Sequence, residues 1–529
     1  MLKKKLSLNF TEINSIPQLI KDFLSGKFPE FKEDVFSSGN FKNKIENKTE
    51  NFSLENRANL CSVLEKQLKN IELSDLQKSN LSLLKNENTL TVTTGHQLNL
   101  FSGPVFFVYK ILQTIKTAVY LKENFPANDF VPIFWMATED HDFEEINHFK
   151  TKHNFYEFKA NSGGVVGKIK LDDIAFISAF EDEFKDDIFG TELILLLKKA
   201  YQKGETLTSA TRFFVNELFS NYGLLMLDGD DKFLKAEMKS IFSSELLNQD
   251  LFNASKNSIN KLSNLYGKVQ VNPREINLFY LTETRDRIEF DGENFLIVDT
   301  DLKFTRAEIL AELENYPEKF SPNAVMRPIF QESILPNIAY IGGNAEIMYW
   351  LELKDYFKKI SLDFPILIPR NSMLWLPEKV FKKLQKLNLN IIDYFKNFDY
   401  LVKEKLLDNN QILEKIIETH QTLKFQFESL KIEAGKTDVT FCNLVEAEET
   451  RQLKSFKRME KRLLRAEKIK NSELLNRLED IFLDIHPGKS WQERVYNFSV
   501  FYSELGKAFI EKSYKEMNVE NSELIILQV

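Results

Sequence analysis

The sequence predicts an α/β protein with a Rossmann-like, mostly parallel sheet core that carries insertions, followed by a long antiparallel α-helical coiled coil. Across residues 1–375, short apolar runs typical of buried strands alternate with segments of helical periodicity. Residues 89–136 form a strand–helix–strand pattern, and such crossovers almost always join parallel strands. Beyond Leu376, glycine and proline become rare and apolar residues recur at three- and four-residue steps, as in helices that pack along a seam.

Each strand of the predicted sheet is a short apolar run that ends at a polar or glycine-containing turn. The five runs are residues 90–94, 131–136, 223–227, 338–341 and 365–369. A helix over 105–121, which begins after the turn-forming Pro104, connects the first two runs. We also predict a helical insertion at about 150–220 and a β-rich insertion at about 270–325.

The chain divides into three predicted parts: a core over 1–375, a helical hairpin over 376–485, and a C-terminal segment over 486–529 that returns to the core. The apolar seam of the hairpin consists of Leu406, Leu413, Ile416, His420, Leu423, Phe427 and Leu430 in the first helix and Phe456, Leu463, Leu474, Leu478 and Ile481 in the second. We interpret His420 as a packed residue of this seam and not as a ligand. Two helices bury only part of such a seam, so we predict a homodimer through the coiled coil, anchored by Phe427 and Phe456.

Composition and charge exclude several classes of protein. The chain has 529 residues and a net charge of −8, which argues against a general nucleic-acid-binding protein. It contains no uncharged apolar stretch of membrane-spanning length, so we expect no membrane partner. Cys61 and Cys442 are far apart and fit no metal motif, and no signal peptide is evident, so we expect a reduced, cytoplasmic setting.

Two polar clusters follow neighbouring strands of the predicted sheet. One is residues 93–97 and the other is residues 138–142. The carboxyl ends of parallel strands share one edge, where open α/β folds bind ligands, so both clusters should face one cleft. His141 is the best general acid–base candidate because histidine titrates near neutral pH and carboxylates flank it. The alternative is that these side chains only hold loops together.

Other features of the sequence allow both a functional and a structural interpretation. The acidic loop at 228–231 favours either a helix start or a metal or amine site. Gly342-Gly343-Asn344 leads from a strand into a helix, which either presents backbone N–H groups to an anion or is a tight turn. Arg327, Arg370 and Lys354 supply positive charge for an anionic substrate. Zinc-binding spacing is absent around residues 140–148, so we predict no tightly bound metal.

Several short motifs are similar to those of one known family. They are Gly95-His96-Gln97, Ser102-Gly103-Pro104, Pro132-Ile133-Phe134-Trp135, Glu139-Asp140-His141-Asp142, Glu145-Ile146-Asn147, Arg327-Pro328, Gln331-Glu332, Glu346, Tyr349-Trp350, Pro369-Arg370 and Gln492-Glu493-Arg494. With these motifs the chain resembles the BshC family over nearly its whole length. It departs from that pattern at His96, where many members have glutamine.

The resemblance implies a ligase that joins the carboxyl group of cysteine to the amino group of glucosaminyl-malate in bacillithiol biosynthesis, as a homodimer. Carboxylates need activation before they acylate amines, so ATP, with Mg²⁺ as a possible companion, is the expected cofactor. The predicted catalytic residues are His141, Asp142, Asp140 and His96. The predicted substrate-binding residues are Thr94, Gly95, Gln97, Gly103, Trp135, Glu139, Arg327, Gln331, Gly343, Glu346, Tyr349 and Arg370.

Two alternatives stay open from the sequence. One is a nucleotidyl- or phosphosugar-transferring enzyme with the same fold. The other is a non-enzymatic scaffold in which the coiled coil binds partners. Neither a P-loop nor the His-x-Gly-His signature of class I adenylating enzymes is present.

Overall fold

The computed structural model describes residues 5–160, 163–267 and 270–528, which fold into two compact units. The first unit contains the described parts of residues 1–12, 16–375 and 492–527. The second contains residues 13–15, 376–491 and the end of the chain at Gln528. No helix in the described ranges has both the length and the apolar character needed to cross a membrane.

The strands form four sheets. In chain order they are β1 (Lys5–Asn9), β2 (Thr89–His96), β3 (Asp129–Met136), β4 (His148–Lys150), β5 (Phe155–Glu157), β6 (Leu225–Asp228), β7 (Leu278–Leu281), β8 (Arg285–Phe290), β9 (Phe295–Ile297), β10 (Lys303–Phe304), β11 (Phe320–Pro322), β12 (Asn337–Gly342), β13 (Ile366–Pro369), β14 (Ser372–Leu376) and β15 (Glu523–Gln528).

The α-helices lie between and around these sheets. In chain order they are α1 (Gln18–Leu24), α2 (Ser38–Asn51), α3 (Leu54–Gln67), α4 (Asp75–Leu83), α5 (Phe106–Asn124), α6 (Phe143–Ile146), α7 (Phe176–Phe184), α8 (Gly190–Ala200), α9 (Leu207–Phe219), α10 (Lys232–Ala236), α11 (Lys239–Asn248), α12 (Asp250–Tyr266), α13 (Arg306–Asn315), α14 (Arg327–Ile334), α15 (Asn344–Glu352), α16 (Lys354–Lys359), α17 (Glu378–Lys386), α18 (Phe398–Leu407), α19 (Gln411–Ala434), α20 (Val439–Lys470), α21 (Ser472–Ile485), α22 (Gln492–Val495), α23 (Ser499–Leu505) and α24 (Lys507–Glu516).

The central sheet has the order β13-β12-β2-β3-β6, and every neighbouring pair in it is parallel. Its five strands are the five that the apolar runs predict, so the predicted α/β fold class is confirmed. β2 and β3 are buried along nearly their whole length because helices cover both faces, and for this reason they read as continuous apolar runs. The helix α5 is the crossover between them and packs on both.

The register of this sheet aligns the ends of its strands. Gly95 lies opposite Trp135, Met136 opposite Asp228, and Gly342 opposite Pro369. The loops that follow these strands therefore leave the sheet along one edge, which we call the carboxyl edge. This edge is where the polar clusters of the sequence come together.

The first unit also contains sheets that are antiparallel. A five-stranded sheet, β10-β9-β8-β7-β11, is antiparallel throughout and lies in the region predicted as a β-rich insertion. β4 and β5 form a short hairpin, and three helices, α7 to α9, follow it. β1, β15 and β14 form a three-stranded sheet in which Lys5 pairs with Leu527.

In the second unit, α19 and α20 form the predicted antiparallel hairpin, but its two helices are shorter than the seam predicts. Leu406 lies in α18, and Leu474, Leu478 and Ile481 lie in α21, because the chain leaves the helical conformation at 408–410 and at Asn471. Asp438 caps α20, accepting hydrogen bonds from the backbone of its first turn. The ring of His420 packs edge-on against Phe456 at 5.3 Å, so the interpretation of His420 as a packed residue is confirmed. Phe456 is buried inside the hairpin, so its predicted role as a dimer anchor is wrong.

Candidate active site

The end of β2 forms the floor of the site. A Cβ atom on Gly95 would lie 3.3 Å from Nη1 of Arg327 and 3.4 Å from the hydroxyl oxygen of Tyr340, so a larger residue would push these groups away. The hydroxyl of Thr94 donates to the carbonyl oxygen of Ile341 at 2.8 Å and is buried. Thr94 therefore joins β2 to β12, while Gly95 lets the arginine approach the strand.

A buried ion pair lies beside this floor. Nζ of Lys110 donates to Oε1 and Oε2 of Glu346 at 2.8 and 2.9 Å and also to the carbonyl oxygen of Gly95. Burial alone would raise the pKa of Glu346, but the charge and hydrogen bonds of Lys110 and the hydroxyl of Tyr340 lower that pKa to about 2. Glu346 is therefore an anion, and its Oε1 accepts the backbone N–H of Gly343 at 3.3 Å.

The contact between Glu346 and the backbone N–H of Gly343 argues against the predicted anion site at Gly343. The protein's own carboxylate already lies at the start of α15, where the prediction placed a phosphate or carboxylate of the substrate. A second anion there would be repelled by Glu346. The backbone at Gly343 therefore does not provide an open phosphate cradle, and no residue is assigned to ATP on this basis.

Arg327 is half-buried and donates to neutral oxygen atoms. Its Nη1 contacts Oε1 of Gln331 at 2.9 Å, and its Nη2 contacts the hydroxyls of Tyr349 at 3.0 Å and Tyr340 at 3.4 Å. Four predicted substrate-binding residues, Gly95, Arg327, Gln331 and Tyr349, thus lie in one cluster. Their role in binding stays a prediction.

His96 lines a cavity of about 320 Å³ next to this cluster. The lining residues are His96, Gln97, Asn99, Pro104, Phe106, Glu145, His148, Phe149, Lys150, Phe155, Arg494 and Val495. Burial and the positive charge of Lys110 lower the pKa of His96 to about 3. Its imidazole is therefore neutral at physiological pH, and its buried Nε2 has no hydrogen-bond partner among the described residues.

We expect His96→Gln to keep most of the activity and to change the acid stability of the fold. Glutamine is neutral, as His96 is. An ordinary histidine pKa is about 6.5 in the unfolded chain. Because the folded pKa is lower, the stabilisation from neutral His96 is complete above pH 6.5 and is lost as the pH falls toward 3, by up to about 1.4 kcal/mol per pH unit. Urea unfolding at pH 7 and pH 5 measures this loss. An equal loss in His96→Gln would contradict the assignment.

The two polar clusters meet through Gln97. Its Nε2 donates to Oδ2 of Asp140 at 2.7 Å and to Oε2 of Glu145 at 3.0 Å. The other carboxylate oxygen of Asp140 accepts the backbone N–H of His141 at 2.7 Å. The prediction that both clusters lie at one edge of the sheet is therefore confirmed, and the cleft that they would share stays a prediction.

His141 is held by a residue that the sequence analysis missed. Nη1 of Arg285, in β8, donates to Nδ1 of His141 at 2.8 Å, and the imidazole packs on Phe279 at 5.3 Å. Arg285 is itself fixed by Ser321 and by the carbonyl oxygen of Pro322. The antiparallel sheet thus contributes directly to the site. In the sequence, Phe279 and Arg285 were recognisable only as residues of the predicted β-rich insertion, with no sign of a functional role.

This contact sets the protonation of His141. Burial and the charge of Arg285 lower the pKa of His141, and the opposing attraction of Asp140 and Asp142 does not offset them. Since arginine cannot accept a hydrogen bond, Nδ1 is the acceptor and Nε2 carries the proton. His141 is therefore a neutral N–H donor whose side chain is 43% exposed.

The remaining residues of this second cluster make structural contacts. The carboxylate of Asp142 accepts the backbone N–H of Glu145 at 3.4 Å and caps the short helix α6. Oε1 of Glu139 forms an ion pair at 2.6 Å with Lys235, which is fully buried and also pairs with Asp230. Trp135 is buried beneath the acidic loop and packs edge-on against Phe330.

The acidic loop at 228–231 has partners for its charges. Lys235 and Lys168 pair with Asp230 at 2.8 and 3.3 Å, and Thr138 donates to Asp228. Burial raises the pKa of Asp228 to about 6. Within the described part of the chain, no three His, Cys, Asp or Glu side chains converge as the ligands of a metal ion would. The structural interpretation of the loop is therefore favoured.

Gly103 closes a left-handed turn between β2 and α5. Phe101, Ser102 and Gly103 have φ angles of 44°, 72° and 59°, which non-glycine residues rarely adopt. Asn497 holds this turn, with Nδ2 donating to the carbonyl oxygens of Phe101 at 2.7 Å and Gly103 at 2.6 Å. A Cβ on Gly103 would lie 2.8 Å from Cβ of Asn99, so the glycine is required by both its backbone angle and its neighbour.

Arg370, at the end of β13, is engaged by the C-terminal segment. Its Nη1 and Nη2 donate to the two carboxylate oxygens of Glu493 at 3.0 and 2.8 Å, and both side chains are buried. The same carboxylate accepts hydrogen bonds from Ser372 and from the backbone of Met373. The predicted role of Arg370 in binding a substrate anion stays untested, but its charge is already compensated within the protein.

Residues 4–371 match the family described as bacillithiol biosynthesis BshC, N-terminal Rossmann-like domain, and residues 373–529 match the BshC C-terminal coiled-coil domain. A protein of Flavobacterium johnsoniae named "Putative cysteine ligase BshC" is 42% identical over 93% of this chain and 94% of its own length. Proteins with the same name from Flavobacterium psychrophilum and Christiangramia forsetii are 42% and 39% identical over 96% and 98% of both chains. With both of its regions matched and relatives of this similarity along almost its full length, the chain belongs to the BshC family.

Proposed function

We propose that this protein is an ATP-dependent ligase that joins the carboxyl group of L-cysteine to the amino group of glucosaminyl-malate, the amide-forming step of bacillithiol synthesis. Membership of the BshC family and the name of its relatives, which calls them cysteine ligases, support a cysteine ligase. We locate the reaction at this site because of His141. It is a neutral N–H donor that Arg285 holds beside Asp140 at the carboxyl edge. The cleft between the two clusters is the proposed reaction site.

His141 supplies the proton-donating half of the chemistry. Its Nε2–H makes no hydrogen bond within the described ranges, and it can donate to an oxygen atom on which negative charge develops while the acyl group of cysteine is attacked. Nδ1 is taken by Arg285, so His141 is not the base in this arrangement. Asp140 is the candidate for receiving the proton that the attacking ammonium group must lose, because its carboxylate lies next to His141 and is partly exposed.

The activation step requires a co-reactant. A carboxylate and an ammonium ion condense to an amide with loss of water, and cleavage of one phosphoanhydride bond of ATP takes up that water and releases one proton. The carboxylate oxygen of cysteine leaves as part of a phosphate or of AMP, depending on which phosphorus atom it attacks. We propose ATP for two reasons: the reaction needs a co-reactant that takes up the water, and the family resemblance implies ATP.

Incubation of the purified protein with cysteine, glucosaminyl-malate and ATP tests the proposal. The expected result is a new thiol whose mass equals the sum of the two substrates less water, together with ADP or AMP in equal amount. Omission of ATP should abolish the product. Consumption of ATP without cysteine-dependent product would favour a nucleotidyl-transferring enzyme, and a protein that leaves all three compounds unchanged would contradict the proposal.

We further propose that the chain forms a homodimer through its helical hairpin. Phe425 and Val439, on either side of the hairpin turn, are 73% and 76% exposed. Exposed apolar residues of this size commonly anchor an interface.

We expect Phe425→Asp combined with Val439→Asp to weaken the dimer about thirtyfold or more, because buried aspartates in an apolar interface would be uncompensated. Sedimentation equilibrium measures the dissociation constant. Ile188→Asp in the first unit, at a residue that is 82% exposed, is the matched control and should have no effect. An unmodified protein that is monomeric at micromolar concentration would contradict the prediction.

A further inference from the structure

We infer that the guanidinium group of Arg494 binds a carboxylate of the substrate in the cavity beside His96. The class of ligand is a small carboxylate, and its identity as the malyl group of the acceptor rests on the proposed function. Arg494 lies in the C-terminal segment, far from the sheet in sequence, and was not among the predicted site residues.

Comparison of the arginines at the carboxyl edge singles out Arg494. Arg370 has its charge compensated by the bidentate contact with Glu493, and Arg327 donates to three neutral oxygens. Arg285 is committed to His141 and to two further oxygen acceptors. Arg494 makes no hydrogen bond or ion pair with any residue that the structure describes, yet it is exposed and lines the cavity. It is therefore the arginine that remains available for a ligand.

The position of Arg494 is fixed although its charge is not paired. Its guanidinium carbon lies 5.7 Å from the centroid of the Phe106 ring, a cation–π distance. Gln492 exchanges hydrogen bonds of 3.0 and 2.9 Å with the backbone of Trp375, and Asn497 holds the turn before α5. Anchored residues two positions before and three positions after Arg494 thus hold its backbone, as a binding group requires.

The local charges favour an anion at this point. The guanidinium of Arg370 lies 4.9 Å from the same Phe106 ring, and its carboxylate partner, Glu493, is fully engaged by it and by Ser372. Although the side chain of Arg494 is exposed in part, the surrounding protein withdraws its guanidinium from water, and this desolvation and the repulsion from Arg370 lower the pKa of Arg494. An added negative charge would stabilise the charged guanidinium. His96, which lines the same cavity, is neutral, and its Nε2 has no hydrogen-bond partner in the part of the chain that the structure describes. An anion here would meet the positive charge of Arg494, and the carboxylates that oppose it are Glu145, which lines the same cavity, and Glu346, which interacts electrostatically with Arg494.

The geometry of the group favours a carboxylate as ligand. The planar guanidinium fork matches the two oxygen atoms of a carboxylate in a bidentate contact. Glucosaminyl-malate carries two carboxylates on a small malyl group, and a cavity of about 320 Å³ is at the lower end of the size range of small-molecule sites. Arg494 would hold this group while the amino group of the acceptor reaches the cleft.

Calorimetric titration of the full-length protein with glucosaminyl-malate, without cysteine or ATP, tests the inference. Hydrogen bonds to charged groups contribute about 1.5–3 kcal/mol, which corresponds to an affinity loss of about 10- to 150-fold in Arg494→Gln. Arg494→Lys keeps the charge but loses the fork, so its loss should be smaller. Arg306→Gln, which removes an exposed arginine on α13 outside the cavity, is the matched control and should bind normally.

Two further probes locate the recognised group. The malyl dimethyl ester should bind the unmodified protein as weakly as it binds Arg494→Gln, and L-malate should compete with glucosaminyl-malate where inorganic phosphate does not. Equal affinity of Arg494→Gln and the unmodified protein for glucosaminyl-malate would overturn the inference, as would equal competition by phosphate. A thermal melting curve confirms that each variant is folded, and if Arg494→Gln is not, Arg494→Lys and the ester decide the question.

Kinetics separates this inference from the proposed function. In the ligase reaction, Arg494→Gln should raise the KM for the acceptor at least tenfold while leaving the KM for cysteine unchanged. If no amide forms but binding of glucosaminyl-malate depends on Arg494, the proposed function fails and the inference stands. If amide forms at the same acceptor KM in Arg494→Gln, the inference fails and the proposed function stands.

Discussion

Replacement of His141 by alanine is expected to lower kcat of the ligase reaction by about 10²–10⁴-fold. The side chain is 43% exposed, and it contacts Phe279, Arg285 and Asp140. Surface changes of this kind usually alter the free energy of unfolding by less than about 0.5 kcal/mol. The loss of rate should therefore come without a loss of fold. Steady-state kinetics with a melting curve for each variant measures both effects.

A second variant, Asp142→Asn, tests whether the carboxylate of Asp142 is catalytic or structural. Asp142 is one of the predicted catalytic residues, whereas its contact with the backbone of Glu145 is that of a helix cap. Asparagine caps helices as well as aspartate does, so this variant removes the charge alone. A large loss of rate in Asp142→Asn would assign its carboxylate to catalysis. Unchanged rates in both variants would show that the cluster is structural.

The second prediction with a large effect concerns the free energy of unfolding and the buried ion pair between Arg370 and Glu493. Glu493→Gln should lower the free energy of unfolding by about 3–5 kcal/mol, because it leaves the guanidinium of Arg370 buried without a countercharge. The pair joins the end of β13 to the C-terminal segment, and Arg370 and Glu493 side chains are 4% and 2% exposed. Urea unfolding at constant pH measures the change.

Glu504→Gln provides the matched control for this measurement. Glu504 also lies in the C-terminal segment and pairs with Lys152 at 3.1 Å, but both side chains are about half exposed. Exposed pairs of this kind contribute about 0–1 kcal/mol. If the two variants lose similar stability, the Arg370–Glu493 pair is not the fixed buried contact that the structure contains.

The sequence was sufficient to predict the parallel sheet and the edge at which the polar residues gather. Strand β2 and strand β3 are local patterns, and the rule that crossovers join parallel strands places Gln97 and Asp140 on the same side. Nothing beyond short-range periodicity was needed for this inference. The same reasoning predicted the long hairpin, because its apolar spacing is also local.

The partners of these residues could not be predicted in the same way. Arg285 reaches His141 across 144 positions of sequence, and which side chain of β8 faces the cleft depends on the register of an antiparallel sheet. Glu493 reaches Arg370 across 123 positions. The motif Gln492-Glu493-Arg494 was visible as part of the family resemblance. Nothing in its spacing indicated that Glu493 pairs with Arg370 while Arg494 does not form an ion pair within the described residues.

The ion pair between Arg370 and Glu493 also imposes an order of events during synthesis. At about 5–20 residues per second, the 123 positions between the two residues take roughly 6–25 s to translate. Throughout that interval β13 has already been made, but the carboxylate that neutralises its terminal arginine has not. The nascent core is therefore incompletely packed during this interval. A chain released before Glu493 is made would leave the guanidinium of Arg370, at the end of β13, without its countercharge.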